Sequence, residues 1–388
     1  MKIIISLFLF VKPFIPDLIL KQADIFLNLA FVIPAVAYLV IHKRFKPAYY
    51  DKFFFLFVVA TLISLCFSTN YLVSAAALYK YICPVVLCYF FALSQQEKKF
   101  LPVLIISALC VSLYSLRGYF IISGQALRYL HAMHNASSFS EEFILRKRAF
   151  VPFVLPNLLG GYLAMVIPLS VGLIVQRAKG GRKDLMFVTM CVCCIVSGVA
   201  LFLTKSIGSW CALVGGCGVY FCLKKWKHKK TSLLIIGGLC IITAVVVILR
   251  LHSEGAITHP LFSLKMRITY WNEALAIVSE RPFTGVGVGK FSLYDTRFAH
   301  NSYFQIWAEM GILGLIAWLS IIVLFFTEGI EKLKMKGSAL YGGIFIAGVS
   351  FIIHNFLDFT LFVSQVSFLW WILLGVMVKE NGTKSLSP

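Results

Sequence analysis

Long apolar runs alternate with short polar ones along almost the whole chain. The apolar runs cover roughly residues 3–20, 24–42, 52–68, 71–93, 101–122, 152–176, 185–203, 208–223, 232–250, 303–326, 338–357 and 362–378. Most have the length that crosses a hydrocarbon core of about 30 Å as a helix. None shows the residue-by-residue alternation of a barrel strand. The pattern predicts an all-α fold, a polytopic transmembrane helical bundle of about 12 spans in which residues 1–388 form one integral membrane domain. Lys12, Pro13 and Pro16 interrupt the first run, so a surface helix with eleven true spans is the alternative there. A signal peptide fits less well, because no small-x-small pattern follows and another apolar run starts at once.

Two polar stretches are long, residues 123–151 and 251–302. Counting spans puts both on the same side. The short basic linkers, with Lys43 and Arg44, Arg177 and Arg182, Lys224 to Lys230, and Lys332 to Lys336, all fall on the other, together with Lys98, Lys99 and the carboxyl tail. The positive-inside rule makes that side cytoplasmic and puts both termini there.

Composition agrees with this reading. A chain of 388 residues that is 60% hydrophobic and 13% charged, with mean hydropathy +0.88, is not an ordinary soluble protein, whose charged share is near a quarter. The formal charge of +20 would suggest nucleic acid in a soluble protein. Here the cations mark topology instead, so the lipid bilayer is the expected partner and nucleic acid is not. All eleven cysteines lie in or beside apolar runs. No disulfide framework is implied, and Cys191, Cys193 and Cys194 read as small packing residues rather than a metal site.

The outward stretches carry cations that the rule does not explain. The first ends in Arg146, Lys147 and Arg148; the second holds Lys265, Arg267, Arg281, Lys290 and Arg297. Any one of them can be a headgroup anchor, but the set asks for an anionic partner on the outer side. The second stretch also contains Trp271 and a glycine run around Gly285 and Gly287. It fails as a phosphate loop, because Phe291 stands where Ser or Thr should follow Gly-Lys, and reads as a tight turn. The stretch ends at Ala299, His300 and Asn301, where polar sequence meets an apolar helix. If that helix already includes His300, then His300 and Gly311 share one stripe and Glu309 faces away from them. If Asn301 or Ser302 is the N-cap, His300 lies just outside the first turn, where the helix dipole also favours an anion. Glu309, ionisable within an apolar run, pairs with another span on the first geometry. His354 and Asp358, at i and i+4, form a pair within one helix or support the site.

In combination, several of these residues resemble the bacterial O-antigen ligase and polymerase superfamily. They are Arg148 ahead of Asn157, Arg267 with Trp271, the Pro282/Gly285/Gly287 turn, and His300-Asn301 with Glu309, Gly311 and Gly314. The resemblance implies a membrane glycosyltransferase that takes glycan from undecaprenyl diphosphate at the periplasmic face of the inner membrane and passes it to an acceptor lipid or glycan hydroxyl. Under it, His300, Arg267 and Arg148 are the catalytic candidates. Lys205, Asn301, Trp271 and Arg146 are candidates for binding diphosphate or glycan. Gly285, Gly287, Glu309, Gly311, His354 and Asp358 are structural or supporting. His300 serves as general base or as a cation on the diphosphate. One departure is Ile207, which stands where the family often has arginine, leaving that contact to Lys205 two residues earlier or to none. No Asp-x-Asp pair occurs, so neither a metal nor another cofactor is expected. A polymerase extending the lipid-linked chain is the neighbouring reading, and a transporter of lipid-linked glycans is the reading from another class.

Overall fold

The computed structural model describes residues 2–42, 48–94, 96–122, 147–224, 229–255, 262–293, 298–335 and 339–378. Arg146 and Arg297 lie outside these residues. The helices are α1 (Lys2–Val11), α2 (Lys21–Ile41), α3 (Asp51–Cys66), α4 (Tyr71–Ala77), α5 (Tyr79–Ser94), α6 (Glu97–Arg117), α7 (Pro156–Lys179), α8 (Leu185–Thr204), α9 (Ile207–Leu223), α10 (Lys229–Gly255), α11 (Phe262–Glu280), α12 (Ser302–Lys334), α13 (Ala339–His354) and α14 (Ser364–Val378). No strand occurs among the described residues. The chain is a polytopic helical membrane protein: 7 described helical segments are long and apolar enough to cross a bilayer, and α9, α13 and α14 are shorter apolar helices.

Burial sorts these helices into layers. Every residue of α14 is buried, which is why its sequence is apolar on all faces. Around it stand α5, α7, α12 and α13. Trp318 of α12 packs on Trp370 of α14 at 5.1 Å between ring centroids, and Phe351 of α13 stacks on the same ring at 5.4 Å. At the other extreme α10 turns Leu234, Ile241 and Ile248 outward, each more than 60% exposed, as a helix facing lipid does.

The first apolar stretch does not run through as one span. Its helix stops at Val11, and ten residues rise only about 15 Å. A 3-10 turn with Pro13 follows, and Lys12 is fully buried. Its ammonium pairs with Asp24 of α2 and donates to Asn28 Oδ1 at 3.3 Å and Ser364 Oγ at 3.0 Å. The charge is tolerated inside the protein because it is paired there.

The second long stretch is not irregular throughout, since α11 occupies its middle. After α11 come turns at Gly285 and Gly287, with φ +69° and +113°. These turns run beside a break in α12. At Gly311 the backbone takes φ 66° and ψ −170°, a region essentially reserved for glycine. A Cβ there would lie 2.1 Å from the Phe283 carbonyl oxygen. The interrupted helix finds its missing partners in the turns. Val286 N–H donates to Ala308 O at 2.9 Å, Gly287 N–H donates to Glu309 O at 3.0 Å, and Ile312 N–H donates to Pro282 O at 2.9 Å. Backbone groups freed by the break therefore stay satisfied. A continuous helical stripe from His300 to Gly311 does not exist, because Gly311 is the break itself.

Helix α13 also ends earlier than its apolar run, at His354. Asn355 stops it by bonding locally: its amide donates to Phe351 O at 2.8 Å, and its Oδ1 accepts from Leu361 N–H at 2.9 Å. His354 and Asp358 are consequently not an i, i+4 pair on one helix. The segment from Asn355 to Val363 instead crosses the end of the bundle and carries Asp358 to a different partner.

Candidate functional site

One end of the bundle gathers the start of α7, the turn between α8 and α9, the start of α12 and the 355–363 segment. Asn301 is the N-cap of α12, its Oδ1 accepting from the N–H groups of Tyr303 at 3.0 Å and Phe304 at 3.2 Å. That cap commits the carboxamide oxygen and leaves His300 just outside the first turn. His300 has φ +49°, a left-handed conformation uncommon outside glycine. Trp271 of α11 steadies the position by donating to His300 O at 3.5 Å. Tyr270 stacks on the imidazole at 5.3 Å, and Phe359 meets it edge-on at 4.8 Å.

Asp358 is the residue toward which His300 and Arg267 converge. Its Oδ1 lies 3.6 Å from His300 Nδ1 and its Oδ2 lies 3.9 Å from Arg267 Nη2. Phe359 N–H donates to Oδ1 at 2.9 Å and fixes the carboxylate's orientation. Burial alone would raise the Asp358 pKa. The facing imidazole of His300, then His354 and Arg267, outweigh that effect and hold the carboxyl well below the usual carboxylate range. Asp358 is therefore an anion in the folded protein at neutral pH. His300 Nδ1 and Arg267 Nε are buried atoms with no hydrogen-bond partner among the described residues. Such atoms are where a ligand or a small closure completes the set.

A second cationic group stands nearby. Arg148 is buried, its Nε donating to Thr204 O at 2.7 Å and its Nη2 to Asn157 Oδ1 at 2.9 Å. Lys205 follows Thr204 as the left-handed C-cap of α8, with φ +50°. Its pKa is lowered first by burial and then by Arg148, Arg250 and Lys147. Arg250, buried near the end of α10, was not among the residues expected at the site. The signal in the sequence was slight, since an arginine that closes an apolar run is ordinarily a headgroup anchor. A polar line joins the two groups. Ser206 N–H donates to Thr204 Oγ1 at 3.2 Å, Ser206 Oγ lies 2.8 Å from Ser209 Oγ, and Ser209 Oγ lies 3.1 Å from His354 Nε2. His354 thus braces the α8–α9 turn against the 355–363 segment, with Nδ1 3.4 Å from Thr360 Oγ1.

Glu309 belongs to the scaffold rather than to His300. It is buried and receives Tyr81 Oη at 2.5 Å, Gly289 N–H at 2.8 Å and Gln305 Nε2 at 3.1 Å. It thereby ties the glycine turns to α5 and α12. Glu309→Ala leaves the Tyr81 hydroxyl and the Gly289 N–H without this acceptor. The expected cost is about 2–4 kcal/mol in stability, roughly 1–3 kcal/mol for each orphaned group less relaxation. Thermal unfolding in detergent, with limited proteolysis at the glycine turns, measures it; a melting curve unchanged from wild type would refute the tie.

Gly285 takes part in the same packing, because a Cβ there would lie 2.3 Å from Glu309 O. The structure thus brings His300, Arg267, Trp271 and Asp358 into one cluster, and Arg148, Lys205 and Arg250 into another. Gly285, Gly287, Glu309 and Gly311 shape the support beneath the first. No curated protein sequence matches the chain. A family model described as O-antigen ligase matches residues 192–319, from within α8 to within α12, and so takes in Lys205, Arg250, Arg267, Trp271 and His300.

Proposed function

The match over residues 192–319 supports membership of the O-antigen ligase and polymerase superfamily, and from that premise we propose that the chain is a ligase-type glycosyltransferase of the bacterial inner membrane. It takes glycan from undecaprenyl diphosphate at the periplasmic face and passes it to a hydroxyl of an acceptor such as lipid A-core. The observation that carries this reading is the convergence of His300 and Arg267 on the buried anion of Asp358.

Asp358 holds the His300 ring with Nδ1 facing it, so that Nε2 is the nitrogen free to act. The 3.6 Å separation is loose, as such contacts commonly are before substrate binds. The acceptor hydroxyl gives its proton to Nε2 while its oxygen attacks the anomeric carbon. The bond from that carbon to the phosphate oxygen breaks, and undecaprenyl diphosphate leaves. Arg267, with Arg148 and Lys205, opposes the negative charge that grows on the leaving group. Aromatic rings beside His300, among them Tyr270 and Trp271, suit the apolar faces of sugar rings. The reaction needs no metal, in keeping with a sequence that has no Asp-x-Asp pair.

The test is transfer in vitro from an undecaprenyl-diphosphate oligosaccharide to candidate acceptors, in chelator. Arg267→Ala is expected to lower kcat by about 10²-fold or more, and Arg267→Lys to recover only part of it, because an ammonium lacks the planar fork. A ligated acceptor identifies a ligase, and a lengthened lipid-linked chain identifies a polymerase. Absence of transfer to any acceptor, together with movement of the lipid-linked glycan across a bilayer, would replace the enzyme with a transporter.

A further inference from the structure

At the end of the bundle opposite His300, beside the basic turn between α7 and α8, the helices border a half-open cavity of about 470 Å³. Its volume falls in the range of ligand pockets, roughly 300–1,000 Å³. Pro102 of α6 and Leu340 of α13, both partly exposed, give it an apolar wall over the buried Leu101, Leu173, Met190 and Val376, and the α7–α8 region adds Arg177 and Arg182. The two arginines differ. Arg177 Nη1 is held by both oxygens of Asp184, at 2.9 and 2.6 Å, so its charge is already balanced. The Arg182 side chain is exposed and makes no hydrogen bond or ion pair among the described residues. Tyr341 also lines the cavity, and the buried Lys332 ammonium lies 5.3 Å from the centre of its ring.

We propose that this cavity binds an anionic glycerophospholipid of the cytoplasmic leaflet, with the phosphate at Arg182 and the upper acyl chains against the apolar wall. An apolar wall with one unbalanced guanidinium suits a ligand that is both greasy and anionic. Inorganic phosphate gains nothing from the accessible apolar surface of Pro102, Leu340 and Tyr341, whereas a zwitterionic lipid carries no net charge for Arg182 to attract. The cytoplasmic leaflet is where anionic lipids meet such basic pockets. The inference rests on the orientation set by the basic linkers and not on the glycosyl-transfer reading.

The experiment uses the purified full chain in detergent, with native mass spectrometry and melting temperature as readouts. Phosphatidylglycerol, phosphatidylcholine and inorganic phosphate are added separately and in competition. Phosphatidylglycerol is expected to be retained and to raise the melting temperature. Arg182→Glu is expected to weaken its binding about tenfold or more, a charge reversal near an anionic headgroup. Lys183→Glu, the next exposed residue and not part of the cavity lining, is expected to stay within about twofold of wild type, because it leaves the guanidinium in place. Equal losses in the two variants would reduce the effect to diffuse charge on the linker and overturn the site. Equal retention of phosphatidylcholine, displacement by inorganic phosphate, or no retained lipid would overturn it as well. Glycan transfer enters none of these readouts, so the two proposals fail independently.

Discussion

His300→Ala is expected to abolish glycan transfer, lowering kcat by about 10³-fold or more. General-base catalysis is worth roughly 10²–10⁴-fold by itself, and here the same ring is the group that Asp358 and Tyr270 hold in place. The substitution should leave folding intact, because His300 lies outside α12 and the cap is made by Asn301. Size-exclusion behaviour and melting temperature check that point. Asp358→Asn tests the dyad from the other side. It keeps the shape but removes the anion, so activity should fall and its pH profile should move, which loss of packing alone would not cause. Transfer at the wild-type rate by folded His300→Ala protein would end the general-base assignment, whatever the fate of the arginines.

The second large effect concerns stability. Lys12→Ala removes the cation from a buried cluster in which Asp24, Asn28 and Ser364 all bond to it. Ser364 Oγ still donates to Asp24 Oδ2 at 2.8 Å, but that neutral bond does not balance a buried charge. The expected loss is about 3–5 kcal/mol, the usual consequence of breaking a buried pair from one side. Replacing both partners, as Lys12→Met with Asp24→Leu, should cost much less, because no charge is left stranded. Denaturant or thermal unfolding of the three forms decides the matter. If Lys12→Ala melts with wild type, the pair contributes nothing and α1 is held by its other contacts.

Much of this site was legible in the sequence because its residues break local rules. A histidine at a polar-to-apolar boundary, arginines in the two long polar stretches, and glycines clustered before an apolar helix each stand out against a hydrophobic background. Asn301 as N-cap was one of two openings read from the residues, and the structure selects it. Asp358 was visible as well, but its nearest titratable neighbour along the chain is His354. Spacing therefore suggested a helical pair, whereas Asn355 ends the helix and sends Asp358 to His300. Arg250 went unnoticed because it closes an apolar run in which a headgroup anchor is the ordinary expectation.

The sequence by itself determined the all-helical membrane fold, the clustering of basic linkers at one end, and most of the unusual polar residues at the other. These follow from local quantities: the length of apolar runs, the side on which cations fall, and backbone positions only glycine or a capping residue tolerates. Only the tertiary structure decided which of those residues meet. The pairing of Asp358 with His300, the grip of Glu309 on the glycine turns and the burial of Lys12 all join parts of the chain far apart in sequence. Periodicity reports which face of one helix is apolar, and a contact between helices depends on how several such faces pack together. Where the helix of Ser302–Lys334 breaks at Gly311, that dependence is plainest. The glycine marks the place, but the partner hydrogen bonds come from residues 282, 286 and 287 on another segment.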